Sequence, residues 1–442
     1  MTSALTARIS EQHANTVRAL SARLPGAARR SAAIEALAAA GLPVTRDENW
    51  KYANLRPLER QSFSPAALTP PADAAAAARL AADLPARLDG FARYVFVDGV
   101  FTPLLSDALA ASPARITLLA SRADDAGAQP EVSRRELGVD QRFALLNEAF
   151  ATDGAVIAVP ARQDAAHLEV IFLASAEAQL GASYPRVELR LDPGARLALV
   201  ERHLSAGAAA SFVASAVTAE VARGATLDHY RLQELSPRAI LFDTLGATLA
   251  QEARYRLHAF GSGAAAARST LDLRLAGARA ELGLSVVTLG DRQQVQDTYA
   301  RVEHLAPHAR TEETFRGIAA GRARVAFNGK IVVAREAHGT DSRQSLRGLL
   351  AGPEAEIDVR PQLEIYTDEV RCSHGATAGK LDDNMLFYLL SRGLDRDAAL
   401  RALKWAFLGD VIARIEVPAL RRQIEARLAG QMQDGAALRE LI

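Results

Sequence analysis

The sole cysteine of this 442-residue chain stands in the run Cys372-Ser-His-Gly-Ala-Thr, two positions ahead of His374. A thiolate and an imidazole are both ligands for iron, zinc or an iron–sulfur species. On a strand the two side chains leave the same face, because side chains alternate with period two. Two ligands are fewer than a closed structural zinc site needs, and one cysteine forms no internal disulfide. Metal or sulfur chemistry at this pair is therefore shared or transient. The spacing also fits an inert buried cysteine beside a solvent-facing histidine. A Cys–His nucleophile is a weak reading, since positions i and i+2 supply neither a third orienting residue nor an oxyanion hole. The following Gly375-Ala-Thr-Ala-Gly-Lys380 is one residue short of a phosphate loop. Leu381 stands where a magnesium-binding hydroxyl is required, so ATP binding here is rejected.

A long β-region must position the pair. From Arg93 to about Val370, alternating segments such as LEVIFLA, VELRLDPGARLALVERHL and STLDLRLAGARAELGLSVVTL are punctuated by Gly, Pro and Asp. No series of amphipathic helices lies between them, which disfavours a doubly wound α/β sheet and a (β/α)₈ barrel. Small-residue turns recur at Pro193-Gly-Ala-Arg-Leu197, Arg223-Gly-Ala-Thr-Leu227, Ala276-Gly-Ala-Arg-Ala280 and Gly352-Pro-Glu-Ala-Glu356. Gly194 and Gly224 lie 30 residues apart and Gly321 and Gly352 lie 31 apart, while other intervals are irregular. Stacked short strands joined by glycine turns predict a β-solenoid rather than a β-sandwich. The histidines scattered through this region, among them His167, His203, His229, His258, His304, His308 and His338, read by default as satisfied core or surface residues.

Helices flank the β-region. Segments 2–23, 28–40 and about 72–86 are Ala-rich with helical spacing. Between them, Trp50 and Tyr52 read as an aromatic anchor docking a loop on the neighbouring domain, or as a partner or cofactor contact. Asp382 or Asp383 can cap a helix that Gly393 ends, Asp395 can cap the next, and Pro418 precedes a last one. Leu400, Leu403, Phe407, Val411 and Ile412 form an apolar stripe. Met385, Phe387, Tyr388, Trp405 and Phe407 read as core or as a docking face. The expected organisation is a helical region over 1–90, a β-core over 91–370 and a helical region over 371–442.

Fifty-two basic residues balance 52 acidic ones, so nothing global favours nucleic acid or an anionic membrane. The single cysteine suits a reducing compartment, and no secretory signal or membrane-spanning run is legible, which predicts a cytoplasmic protein.

Several longer runs carry a resemblance. They are Phe327-Asn-Gly-Lys-Ile-Val-Val333, Gln344-Ser-Leu-Arg-Gly-Leu-Leu350, Ala355-Glu-Ile-Asp358 and Arg360-Pro-Gln-Leu-Glu-Ile-Tyr366. Asp368-Glu-Val-Arg-Cys-Ser-His-Gly-Ala-Thr377 and Leu386-Phe-Tyr-Leu-Leu-Ser-Arg-Gly393 follow. Together they resemble the C-terminal signature of the SufB/SufD family of iron–sulfur cluster assembly proteins. Asn49-Trp-Lys-Tyr-Ala-Asn-Leu-Arg-Pro57 resembles the N-terminal landmark of its SufD branch, the nearer match. The resemblance implies a right-handed parallel β-helix with helical ends, in a complex with SufB and two copies of the ATPase SufC. It implies a non-catalytic scaffold and regulatory subunit that helps SufB build a nascent cluster, with a reduced flavin linked to the complex and ATP bound by SufC. No cofactor would be held stably by this chain alone. His374, and second Cys372, would contact iron or the cluster across the interface with SufB, while Arg371 and Lys380 would offset negative charge. Helices over 382–413 would dock SufC, the β-helix edge would pair with SufB, and the isolated chain could form a homodimer. The alternative is an autonomous Cys/His-dependent hydrolase or sulfur-transfer enzyme.

Overall fold

Short turns, rather than crossover helices, join the β-segments, and this forces the chain to wind. The computed structural model describes residues 15–44, 46–65, 73–121, 140–161, 165–175 and 180–431. From Ala155 onward, the main strands alternate between two sheets with parallel pairing from coil to coil. One sheet ends with Val295–His304, Arg324–Val333 and Glu356–Ile365; the other ends with Arg310–Ala319, Thr340–Leu350 and Val370–Lys380. Leu197, Leu227, Tyr255, Leu282, Thr311, Ser342 and Cys372 are consecutive register partners, so each coil takes 27 to 31 residues. This is the β-solenoid that the turn spacing predicts.

One corner explains why that spacing is irregular. Gly194, Gly224, Glu252, Arg279, His308 and Gly339 occupy equivalent turn positions and all take φ between 58° and 75°. The N–H of each donates to a carbonyl of the next coil at 2.6–3.0 Å, so the turns are stitched together as the strands are. Glycine adopts this left-handed conformation without steric cost, but three of the six residues carry side chains. The stacked hydrogen bonds hold those three in place, and the repeat loses its glycine in sequence while keeping its shape.

Inward-facing Leu, Val, Ile and Phe fill the solenoid, with Phe315 and Phe327 stacked 4.7 Å apart near its C-terminal end. A parallel sheet needs cover on both faces. Leu20, Leu37, Trp50, Phe143 and Phe150 pack on the outside of one sheet against Tyr184, Phe212 and Phe242. Leu408, Val411, Ile412, Leu420 and Ile424 pack on the other against Val200, Tyr230, Phe260 and Ile318. Trp50 is 2% exposed, its Nε1 donates to Asp140 at 2.8 Å, and the Arg268 guanidinium lies 4.7 Å over its ring. It is therefore an anchor that ties the N-terminal segment to the solenoid.

The helical ends follow their local signals. Residues 15–21 and Ala27–Ala40 are helical, while residues 2–14 lie outside the described residues. The helix expected over 72–86 is shorter, Ala74–Ala81, capped by Asp73 and followed by a turn ahead of Pro85. We name the C-terminal helices α1 (Asp383–Ser391), α2 (Arg396–Ile412) and α3 (Pro418–Gln431). The Asp382 carboxylate accepts from the N–H groups of Asn384 and Met385, and that of Asp395 from Ala398. Gly393 takes φ +94°, its N–H donates to Leu390 and that of Leu394 to Leu389, which closes α1 with a left-handed turn. Strand pairing runs on through Lys380, so Cys372 and His374 stand on the last strand of the solenoid and not in a helical segment.

Candidate functional site

Glu356–Ile365 and Val370–Lys380 form the final coil. Among the described residues no strand pairs with the outer edge of either. Unpaired N–H and C=O groups along such an edge are a template for another chain. Cys372 is half-buried against the core and His374 is exposed; both lie on the inward face of the strand, at the open mouth of the solenoid. The period-two expectation for this pair therefore holds. Burial pushes the Cys372 thiol up, a backbone hydrogen bond from Ser342 opposes that, and the Asp341 charge adds to it. Such a thiol is not an activated nucleophile. The residues of Gly375–Lys380 are extended strand, with no loop to cradle a phosphate. Lys380 lies six residues along the strand from His374, on the order of 20 Å away, so the structure does not bring it to the pair. Arg371 projects from the opposite face of the strand from Cys372. Among the described residues there is no group of three or more His, Cys, Asp or Glu side chains able to hold a metal, so any ion here takes further ligands from outside them.

Beneath the pair the core turns polar. Register places Leu284, Glu313, Gln344 and His374 in one inward column, and Leu282, Thr311, Ser342 and Cys372 in the next. Glu313 is fully buried, and the Gln344 Nε2 donates to its Oε1 at 2.9 Å and to the Gly329 carbonyl at 3.0 Å. A Cβ on Gly329 would run into both side chains, so only glycine lets them meet. The Thr311 hydroxyl pairs with His304 at 2.9 Å.

Burial pushes the Glu313 carboxyl up to about 7, with only the Gln344 amide opposing it. The folded protein thus holds a proton that the unfolded chain releases near pH 4.5. The stabilisation from this neutral carboxyl is fully present below pH 4.5 and is lost as pH rises through about 7. At about 1.4 kcal/mol per pH unit, the loss across that window is on the order of 3 kcal/mol. Urea unfolding of wild type and Glu313→Gln at pH 5.5 and 7.5 should show the variant gaining about 2 kcal/mol on wild type between the two pH values. An unchanged difference would show that Glu313 titrates normally.

A second polar cluster, hidden in sequence, lies deeper in the solenoid. The fully buried Glu201 accepts from Arg231 at 2.6 Å, and its two oxygens pair with His203 Nε2 at 2.8 Å and His229 Nε2 at 3.1 Å. Arg231 also donates to both oxygens of Asp243, at 2.7 and 3.0 Å. Burial alone would raise the Glu201 carboxyl; the Arg231 charge and the two histidines hold it well below the usual range. Burial keeps His229 neutral against the pull of Glu201. Two of the dispersed histidines are thus brought together, whereas His258 stacks on Tyr230, His167 meets Phe91 edge-on, and His308 meets His338 edge-on at the corner. The available signal was parity: Glu201 and His203 continue the inward series Leu197 and Leu199.

The five C-terminal residues left open between core and docking face divide. Trp405 and Phe407 pack against the core beneath α2, whereas Met385, Phe387 and Tyr388 on α1 are 56%, 72% and 56% exposed. Ile365 and Tyr366, at the end of the penultimate strand, are exposed as well.

Comparison with known proteins bears on this geometry. Residues 172–407, from the first coil through most of α2, match the family described as SUF system FeS cluster assembly, SufBD core domain. The chain is 31% identical over 408 residues to the iron-sulfur cluster assembly protein SufD of Escherichia coli K12, covering 91% of this chain and 92% of that protein. It is 29% identical over 418 residues to an iron-sulfur cluster assembly SufBD family protein of Synechocystis, covering 90% and 89%.

Proposed function

We propose, from the premise that this chain belongs to the SufB/SufD family of SUF-system iron–sulfur cluster assembly proteins, that it is a non-catalytic scaffold subunit of an assembly complex. In this reading it supports nascent cluster formation at an interface with SufB. The observation that carries it is the open final coil, where an unpaired sheet edge and the exposed His374 coincide. A SufB-type chain would extend the sheets across that edge by main-chain pairing. His374 would supply an imidazole, and Cys372 an auxiliary sulfur contact, to iron or a cluster passing between the subunits. The exposed Met385, Phe387 and Tyr388 of α1 would receive the SufC-type ATPase, which brings the nucleotide. No helix is long and apolar enough to cross a membrane among the described residues. A hydrolase or sulfur-transfer role for Cys372 gains nothing from a thiol that burial pushes upward.

Co-expression with SufB- and SufC-type partners, followed by size exclusion with mass measurement, tests this reading. Wild type should enter a three-component assembly. Phe387→Asp should weaken the ATPase contact roughly ten- to a hundredfold, the worth of one large apolar side chain, and leave the SufB contact intact. Consecutive N–H groups point to opposite edges of a strand, so replacing both Gly375 and Ala376 by proline removes an outward donor. That variant should release the SufB partner and keep the ATPase. Full assembly in both variants would sink the proposed surfaces.

A further inference from the structure

Above His229, the inward column runs through Leu257 and Leu284 and then continues as Glu313, Gln344 and His374. Burying a carboxyl and an amide where leucine would fit carries a desolvation cost, so the substitution of polar for apolar side chains under the open end calls for a cause. The hydrogen bonds identify one. Gln344 Nε2 donates to the Glu313 Oε1 at 2.9 Å and to the Gly329 carbonyl at 3.0 Å, and the carbonyl can only accept. This fixes the amide orientation, because the flipped amide would set its oxygen against the Gly329 carbonyl. The Gln344 Oε1 is then left buried and without a hydrogen-bond partner, one strand spacing beneath the register position of His374.

We propose that Gln344 is a positioning residue for His374: its Oε1 accepts one ring N–H, which holds the imidazole in a single neutral tautomer. The lone pair of the other ring nitrogen is then directed out of the open end, available to an incoming ion. Glu313 acts one layer further down by fixing the Gln344 amide, and Gly329 leaves the space in which the two side chains meet. A histidine that ligates through one nitrogen while donating through the other is oriented before its partner arrives, and the cost of ordering it is already met by the fold. The inference rests on the reading of His374 as a ligand for its purpose, whereas the orphaned Gln344 Oε1 beneath that register position belongs to the chain alone.

The test therefore uses the full chain without metal or partner. Nitrogen-15 NMR of histidine-labelled protein, with the His374 signals assigned by loss in His374→Asn, reads the tautomer directly. Wild type should show well-separated ring nitrogen shifts of one tautomer and a ring N–H slow enough in exchange to observe. Gln344→Leu should collapse the two shifts towards the mixture found for a free imidazole and abolish the observable N–H. An averaged imidazole in wild type would overturn the proposal without any variant, and so would an identical His374 signature in Gln344→Leu with unchanged circular dichroism. A fixed tautomer combined with unimpaired cluster formation in His374→Ala would leave this inference standing and remove the ligand reading.

Discussion

Replacing Arg231 with methionine should destabilise the fold by about 3–5 kcal/mol, the range for breaking a buried ion pair from one side. The guanidinium bridges Glu201 and Asp243 inside the solenoid, with hydrogen bonds of 2.6–3.0 Å. Methionine matches the length of the side chain but leaves two buried carboxylates without their cation. His229 does not replace it, since burial keeps that ring neutral. The loss is caused by the stranded charges more than by the missing bonds, so a compensating change should recover much of it. Arg231→Met combined with Glu201→Gln and Asp243→Asn should be considerably more stable than the single variant. Urea unfolding of the single and triple variants measures both quantities. A loss below about 1 kcal/mol in the single variant, or no recovery in the triple, would mean that water or a rearranged network neutralises these carboxylates.

The second large effect concerns the reconstituted complex. With SufB- and SufC-type partners under anaerobic conditions, His374→Ala should lower cluster yield about tenfold or more, because a missing first ligand costs at least what a missing supporting hydrogen bond does. Cys372→Ser should have a smaller effect, since that thiol is half-buried and its pKa is pushed upward. Absorbance and Mössbauer spectra give the yield, and size exclusion confirms that each variant assembles as wild type does. His374 is exposed and lies on an edge strand, so its truncation leaves the core untouched and the comparison is clean. Cluster formation at the wild-type level in His374→Ala would leave the chain as architectural support for SufB and a platform for SufC.

Much of the fold was legible in the amino-acid sequence because its signals are local. Asp382 and Asp395 cap their helices and Gly393 ends α1 as their side-chain chemistry dictates, within three residues of the groups they serve. Alternation along each strand puts Cys372 and His374 on one face whatever the rest of the chain does. Glycine turns at near-regular intervals imply winding, and the long C-terminal runs carry the family resemblance that the comparisons support.

What the tertiary structure alone decided is which residues stack. Coil length varies from 27 to 31 residues, and three of the six left-handed corner positions are not glycine, so the register cannot be counted along the chain. A slip of one residue in any coil would turn every inward side chain outward. Glu201 meets His229 and Arg231, and Arg231 meets Asp243, only because three strands arrive in a particular register. For the same reason Gln344 lies under His374 and Glu313 under Gln344, 30 and 31 residues apart. The division of the large C-terminal side chains is equally tertiary: Trp405 and Phe407 find a sheet to cover, whereas Met385, Phe387 and Tyr388 stay exposed. Local chemistry determined the elements and the candidate pair; the register of distant coils determined what surrounds them.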